Sequence, residues 1–129
     1  MPQLAADPIL VVADIHLGRK QHGDKKTGPG IDWALGTLNR GAEAGARHLV
    51  MLGDVIDRKR FTEATYGEVT RFFQCGVELF DTVVFIAGNH DVHHDLSGVI
   101  PGGVIVARQE SQTIRAGGWA LHTAAVEVD

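Results

Sequence analysis

Three runs of β-branched and aliphatic residues divide the chain: PILVVAD (8–14), HLVMLGD (48–54) and TVVFIAGNHD (82–91). Each is a short continuous apolar stretch closed by polar or turn residues, the pattern of a strand inside a parallel sheet. The first, bounded by Pro8 and Gly18, is expected to be a fully buried strand. Between the first two runs, IDWALGTLNRGAEAGAR repeats apolar residues at helical spacing through Ile31, Leu35, Leu38 and Ala42. Between the second and third, TEATYGEVTRFFQCGVELF does the same through Val69, Phe72, Phe73 and Val77, with Thr62 placed to cap the helix. The predicted order is therefore β-α-β-α-β, an α/β fold with a mainly parallel sheet flanked by helices. Beyond Asp91 the texture changes. VIPGGVIVARQESQTIRAGGWALHTAAVEVD has short apolar runs broken by Gly-Gly pairs and no helical period. Short strands and turns are expected there, either extending the sheet or starting a second one.

Length and composition constrain this picture little. The 129 residues suit one domain, 1–129, with enough chain to bury a core without disulfides or structural metal. Cys75, the only cysteine, rules out a disulfide framework and a thiolate metal cluster, and its setting in RFFQCGVELF is that of a small buried hydrophobe. No signal-peptide pattern and no apolar run of bilayer length occur, so the expected home is the cytoplasm, away from any membrane. A net charge of −4 argues weakly against a broad nucleic-acid surface. Carboxylates that hold divalent cations contribute to that sum and are neutralised in use, so charge decides nothing.

The chemistry gathers at the strand ends. The first run closes on Asp14 and His16, the second on Asp54 and Asp57, and the third on Asn89, His90 and Asp91. In a parallel sheet these carboxyl ends share one edge, where ligands bind. Any one of these residues alone has an ordinary structural explanation: an aspartate capping a helix, an asparagine in a turn, a histidine satisfied in place. Three coincident strand ends, each with a metal-capable pair, do not. Carboxylate, imidazole and amide oxygen together suit Mn²⁺, Fe²⁺ or Zn²⁺.

The ordered motifs D-x-H, G-D-x-x-D and G-N-H-D resemble those of the calcineurin-like metallophosphoesterases. The resemblance implies the front part of that family's α/β sandwich and a dinuclear site. Asp14 and His16 would bind the first metal, Asp54 would bridge, and Asn89 would bind the second. His90, backed by Asp91, would serve the phosphate or leaving oxygen as the catalytic pair, and Asp57 would support the ligands. Two cations, manganese by resemblance with iron or zinc as alternatives, would polarise the phosphoryl oxygens and turn a bridging water into the attacking hydroxide.

Within the family, GDVIDRK and GNHD depart from the G-D-x-x-D-R-G and G-N-H-E of the protein phosphatases. ADIHLGRK and GDVIDRKRFT look most like the Mre11/SbcD-type DNA repair nucleases. Two basic clusters agree with a phosphodiester backbone as substrate: Arg19, Lys20, Lys25 and Lys26 after the first motif, and Arg58, Lys59 and Arg60 after the second. The bland alternative is that these are solvated loop charges. The expected activity is metal-dependent DNA hydrolysis by an exonuclease or repair nuclease. By resemblance its partners would be DNA, an SMC-like ATPase and a second copy of the chain in a homodimer.

The family's further histidines, a Gly-His and a G-H-x-H downstream of G-N-H-D, have no counterpart here. The domain is thus expected to be incomplete at its C-terminal end. His93 and His94 read as polar loop residues, and His122 as a weak candidate for a substitute ligand. The alternatives to the nuclease are a partial, non-catalytic module that binds metal weakly, or a phosphatase or phosphodiesterase of small molecules. No Ser-His-Asp or Cys-His arrangement competes, and the glycines near Lys25 do not form a phosphate-binding G-x-x-x-x-G-K-[ST] loop.

Overall fold

The computed structural model describes residues 6–13, 15, 17, 30–53, 55, 63–87, 98, 100–107 and 112–123, apart from the side chains of 63–65. The element order is β1 (Ile9–Ala13), α1 (Gly30–Glu43), β2 (His48–Leu52), α2 (Glu63–Leu79), β3 (Thr82–Ile86), β4 (Val104–Ala107), β5 (Gln112–Ala116) and β6 (Trp119–Thr123). Strands β1 to β4 form one parallel sheet in sequential order, and β5 and β6 form a separate antiparallel hairpin. The late, turn-rich region thus does both things expected of it. One strand extends the sheet and two begin another.

Because β1, β2 and β3 step in one direction across the sheet, right-handed crossovers put α1 and α2 on the same face. That face supplies Leu10, Val12, Leu49, Met51, Val83 and Phe85, which pack with Ala34 and Leu38 of α1 and with Val69, Phe72 and Phe73 of α2. The phenyl rings of Phe73 and Phe85 meet edge-on, with centroids 5.2 Å apart, and tie α2 to β3. In α2 the predicted stripe is the observed one. In α1 it is shifted: Ala34 and Leu38 are buried, Ile31 and Ala42 are partly buried against the core, and Leu35 lies outside that cluster. The small Ala34 lets the helix sit close, an advantage that a search for large apolar residues overlooks. Helix α1 stops at Glu43, where Ala46 N–H donates to the Gly41 carbonyl and Gly45 N–H to that of Ala42, both at 3.0 Å. This is the Schellman closure. The capping residue expected for α2, Thr62, lies outside the described residues.

The opposite face is covered differently. Val11, Val50, Val84 and Ile105 form one row across the sheet. Val50 and Val84, in the middle, are buried under Ile114 of the hairpin, with Leu121 beside it. Val11 and Ile105, at the two edges, are 49% and 40% exposed. The expectation that β1 is fully buried is therefore wrong. It is an edge strand, and its continuous apolar run does not report its place in the sheet.

The hairpin is held at its turn. Gly117 and Gly118 connect β5 to β6 with φ of +53° and +86°, the two positive values of a tight hairpin turn. Asp7 N–H donates to the Gly117 carbonyl at 2.7 Å, and Trp119 Nε1–H donates to the Asp7 carbonyl. The Asp7 carboxylate in turn lies 3.0 Å from Nε2 of His48, which is 6% exposed at the start of β2. Facing a carboxylate oxygen, Nε2 carries the proton, and the buried Nδ1 has no hydrogen-bond partner among the described residues. Close by, Arg47 forms an exposed ion pair with Asp81 at 2.7 Å. The Asp81 hydrogen bond and charge, and the more distant Asp7, raise the guanidinium's affinity for its proton. Cys75, expected to be buried, is half-buried, packed against the helix-side core. Burial, and secondarily Glu78, pushes its thiol above the usual range.

Candidate active site

The clasp at His48 lies at the amino ends of the strands; the sequence places the candidate chemistry at their carboxyl ends. There the backbone is joined beyond the regular ladders. Gly53 N–H, one residue past β2, donates to the Ile86 carbonyl at 2.7 Å, and Ala87 N–H, one past β3, donates to the Ala107 carbonyl at 3.0 Å. Leu17 N–H donates to the Val55 carbonyl at 2.7 Å. Leu17 and Val55 are both essentially buried, at 2% and 0% exposure, and belong to the helix-side core. These three bonds connect the carboxyl ends of all four parallel strands.

Asp14, His16, Asp54, Asp57, Asn89, His90 and Asp91 lie outside the described residues, as do Arg19, Lys20, Lys25, Lys26, Arg58, Lys59, Arg60, His93 and His94. Their neighbours in the chain are described. Asp14 is one peptide from Ala13 and one from Ile15, and His16 stands between Ile15 and Leu17. Asp54 stands between Gly53 and Val55, and Asn89 follows Ala87 by two residues. Ala13 and Leu52 are register partners on adjacent strands, roughly 4.8 Å apart in such a sheet. Each further residue adds at most about 3.8 Å. The described residues that flank the two motifs, Ala13, Ile15 and Leu17 on one side and Leu52, Gly53 and Val55 on the other, thus follow adjacent strands.

Gly53 enters this edge with φ of +57°, a left-handed conformation that residues with a Cβ adopt at a cost. The glycine of the G-D motif thus has a local reason: the chain leaves β2 through a bend immediately before Asp54. Leu17 and Val55 were not singled out by the sequence. The available signal was an apolar residue set between polar ones, in D-I-H-L and in G-D-V-I-D, where a solvent loop would favour polar side chains.

His122, the weak candidate, stands exposed on β6 with Nδ1 3.2 Å from the Thr113 hydroxyl of β5. Among the described residues no three His, Cys, Asp or Glu side chains come together as a metal site. The motif residues expected to hold a divalent ion, Asp14, His16, Asp54 and Asn89, would offer carboxylates, one imidazole and one amide oxygen, a hard donor set with borderline nitrogen. Among the described residues no helix is long and apolar enough to cross a membrane.

Comparison with known proteins agrees with the fold. Residues 7–120 match the family described as calcineurin-like phosphoesterase. This span runs from Asp7, ahead of β1, into β6, and covers most of the chain. The chain belongs to the calcineurin-like phosphoesterase family, whose members are metal-dependent hydrolases of phosphoester bonds. None of the curated proteins matches it.

Proposed function

We propose that this protein hydrolyses phosphodiester bonds, with DNA as the substrate, through a two-metal site at the carboxyl edge of the β1–β4 sheet. The observation that carries this reading is the order of the motifs. D-x-H, G-D-x-x-D and G-N-H-D begin at or just beyond the ends of β1, β2 and β3, strands whose carboxyl ends are joined by backbone hydrogen bonds. Asp14 and His16 would hold one ion, Asp54 would be shared, and Asn89 would hold the other. Divalent ions in such a site supply Lewis acidity toward the phosphoryl oxygens and lower the pKa of water. His90 would orient the phosphate or deliver the proton to the departing oxygen, with Asp91 holding its ring. Asp57 would fix the ligands from behind.

The choice of DNA over a small ester rests on charge. Arg19, Lys20, Arg58, Lys59 and Arg60 directly follow the first and second metal motifs, where cations can hold a polyanionic backbone beside the reacting phosphate. The test is hydrolysis of end-labelled linear DNA by the intact chain with Mn²⁺, beside bis-p-nitrophenyl phosphate. Degradation of both, abolished by EDTA, supports the nuclease reading. Hydrolysis of the small ester alone supports a small-molecule phosphodiesterase. Metal binding without either activity supports the partial, non-catalytic module.

A further inference from the structure

We propose that Leu17 and Val55 are positioning residues, a buried brace that sets how tightly the first and second motifs hold metal. This inference rests on the metal-site reading above. Between β1 and β2 the last ladder pair is Ala13 with Leu52, and the next described connection is the 2.7 Å bond from Leu17 N–H to the Val55 carbonyl. The segment pinned between them contains Asp14, Ile15 and His16 on one side, and Gly53 and Asp54 on the other. Three of the four proposed metal ligands thus fall, in sequence, between two described connections of the backbone.

The two intervening stretches are unequal, three residues against two. The two connections differ in kind. At one end the strands pair. At the other, the described connection is a backbone bond between two residues at 2% and 0% exposure, both in the helix-side core against which Ile15 packs. Gly53 supplies the bend, with φ of +57°, and is itself tied to Ile86 on β3.

A metal site needs its ligands placed before the ion arrives, because ordering them on binding subtracts from affinity. Truncating either side chain would admit water to the brace and let the two motif segments separate. Residues that only orient ligands typically affect metal affinity by about 10–100-fold. That is the range expected for Leu17→Ala and Val55→Ala.

The experiment is calorimetric titration of the intact chain with Mn²⁺ at a temperature where circular dichroism shows every variant folded. Leu17→Ala and Val55→Ala should each bind Mn²⁺ at least about tenfold more weakly than wild type, while Leu17→Met and Val55→Ile should bind nearly as wild type. Leu49→Ala is the control for simple core damage. Leu49 is fully buried on the same core face but at the amino end of β2, so its loss should lower the melting temperature and leave the Mn²⁺ affinity unchanged. Equal weakening in Leu17→Ala and Leu49→Ala, or no weakening in Leu17→Ala, overturns the brace and leaves the metal site standing. Failure of the wild type to bind Mn²⁺ overturns both. Should Leu17→Ala fail to fold, an ester in place of the Leu17 amide removes the N–H while keeping the side chain, and the same loss of affinity is expected.

Discussion

The amide of Leu17 donates to the carbonyl of Val55 at 2.7 Å, joining the chain just past His16 to the chain just past Asp54. Residues 38 positions apart in sequence are thus bonded through the backbone. The bond ties the chain that leaves β1 to the chain that leaves β2. Its consequences can be measured.

Gly53 is the first. At φ of +57° an alanine would carry the left-handed penalty of about 1–2 kcal/mol, and the bond to Ile86 keeps the backbone from relaxing out of it. Gly53→Ala should lower stability by that amount in urea unfolding, without changing the slope of the transition. A variant as stable as wild type would show that the bend before Asp54 is not enforced by the fold.

At the other end of the sheet, Gly117→Ala should release the hairpin. A Cβ there would lie 2.1 Å from His48 Nε2 and 2.7 Å from the Asp7 carboxylate, both parts of the clasp. Overpacking of this kind costs about 1–3 kcal/mol. The emission of Trp119, whose indole donates to the Asp7 carbonyl, should change with it. A melting temperature and emission spectrum equal to those of wild type would mean the hairpin does not need this close fit.

His90 is assigned to the phosphate and leaving group. In protein that shows Mn²⁺-dependent hydrolysis, His90→Ala should retain its metals and lose rate by about 10²–10⁴-fold. Loss of metal in place of rate, read by elemental analysis, would make His90 a ligand.

Neutralising Arg58, Lys59 and Arg60 together distinguishes a nuclease from a small-ester hydrolase. DNA binding should weaken, and the log–log dependence of affinity on salt should flatten by roughly 0.9 for each phosphate that is no longer neutralised. Hydrolysis of bis-p-nitrophenyl phosphate should change little, since that substrate needs only the metals. An unchanged salt slope would leave these cations as solvated loop charges.

Much of the scaffold was legible in the sequence because short-range patterns determine it. The apolar runs at 8–14, 48–54 and 82–91 became β1, β2 and β3, and the stripe at Val69, Phe72 and Phe73 became the core face of α2. What could not be read depends on distant partners. The exposure of Val11 follows from the order of strands, which no local pattern records. The docking of the hairpin depends on Asp7 meeting Gly117 and His48, residues 110 and 41 positions away. The motif residues were legible as chemistry, by residue type and order. The bond between Leu17 and Val55 was not, because an apolar residue that follows a polar one looks like any other core residue until its backbone partner is known.

If the motifs following β1 and β2 share a metal through Asp54, metal retention depends on that carboxylate. The most direct measurement is the metal content of Mn²⁺-loaded wild type, Asp54→Asn and Asp57→Asn, determined by elemental analysis after desalting. A carboxylate shared by two ions should matter more than one that supports ligands from behind. Wild type should therefore retain metal, Asp57→Asn should retain most of it, and Asp54→Asn should lose the greater part. Equal metal content in the two variants would contradict the bridging role, and a metal-free wild type would contradict the site itself.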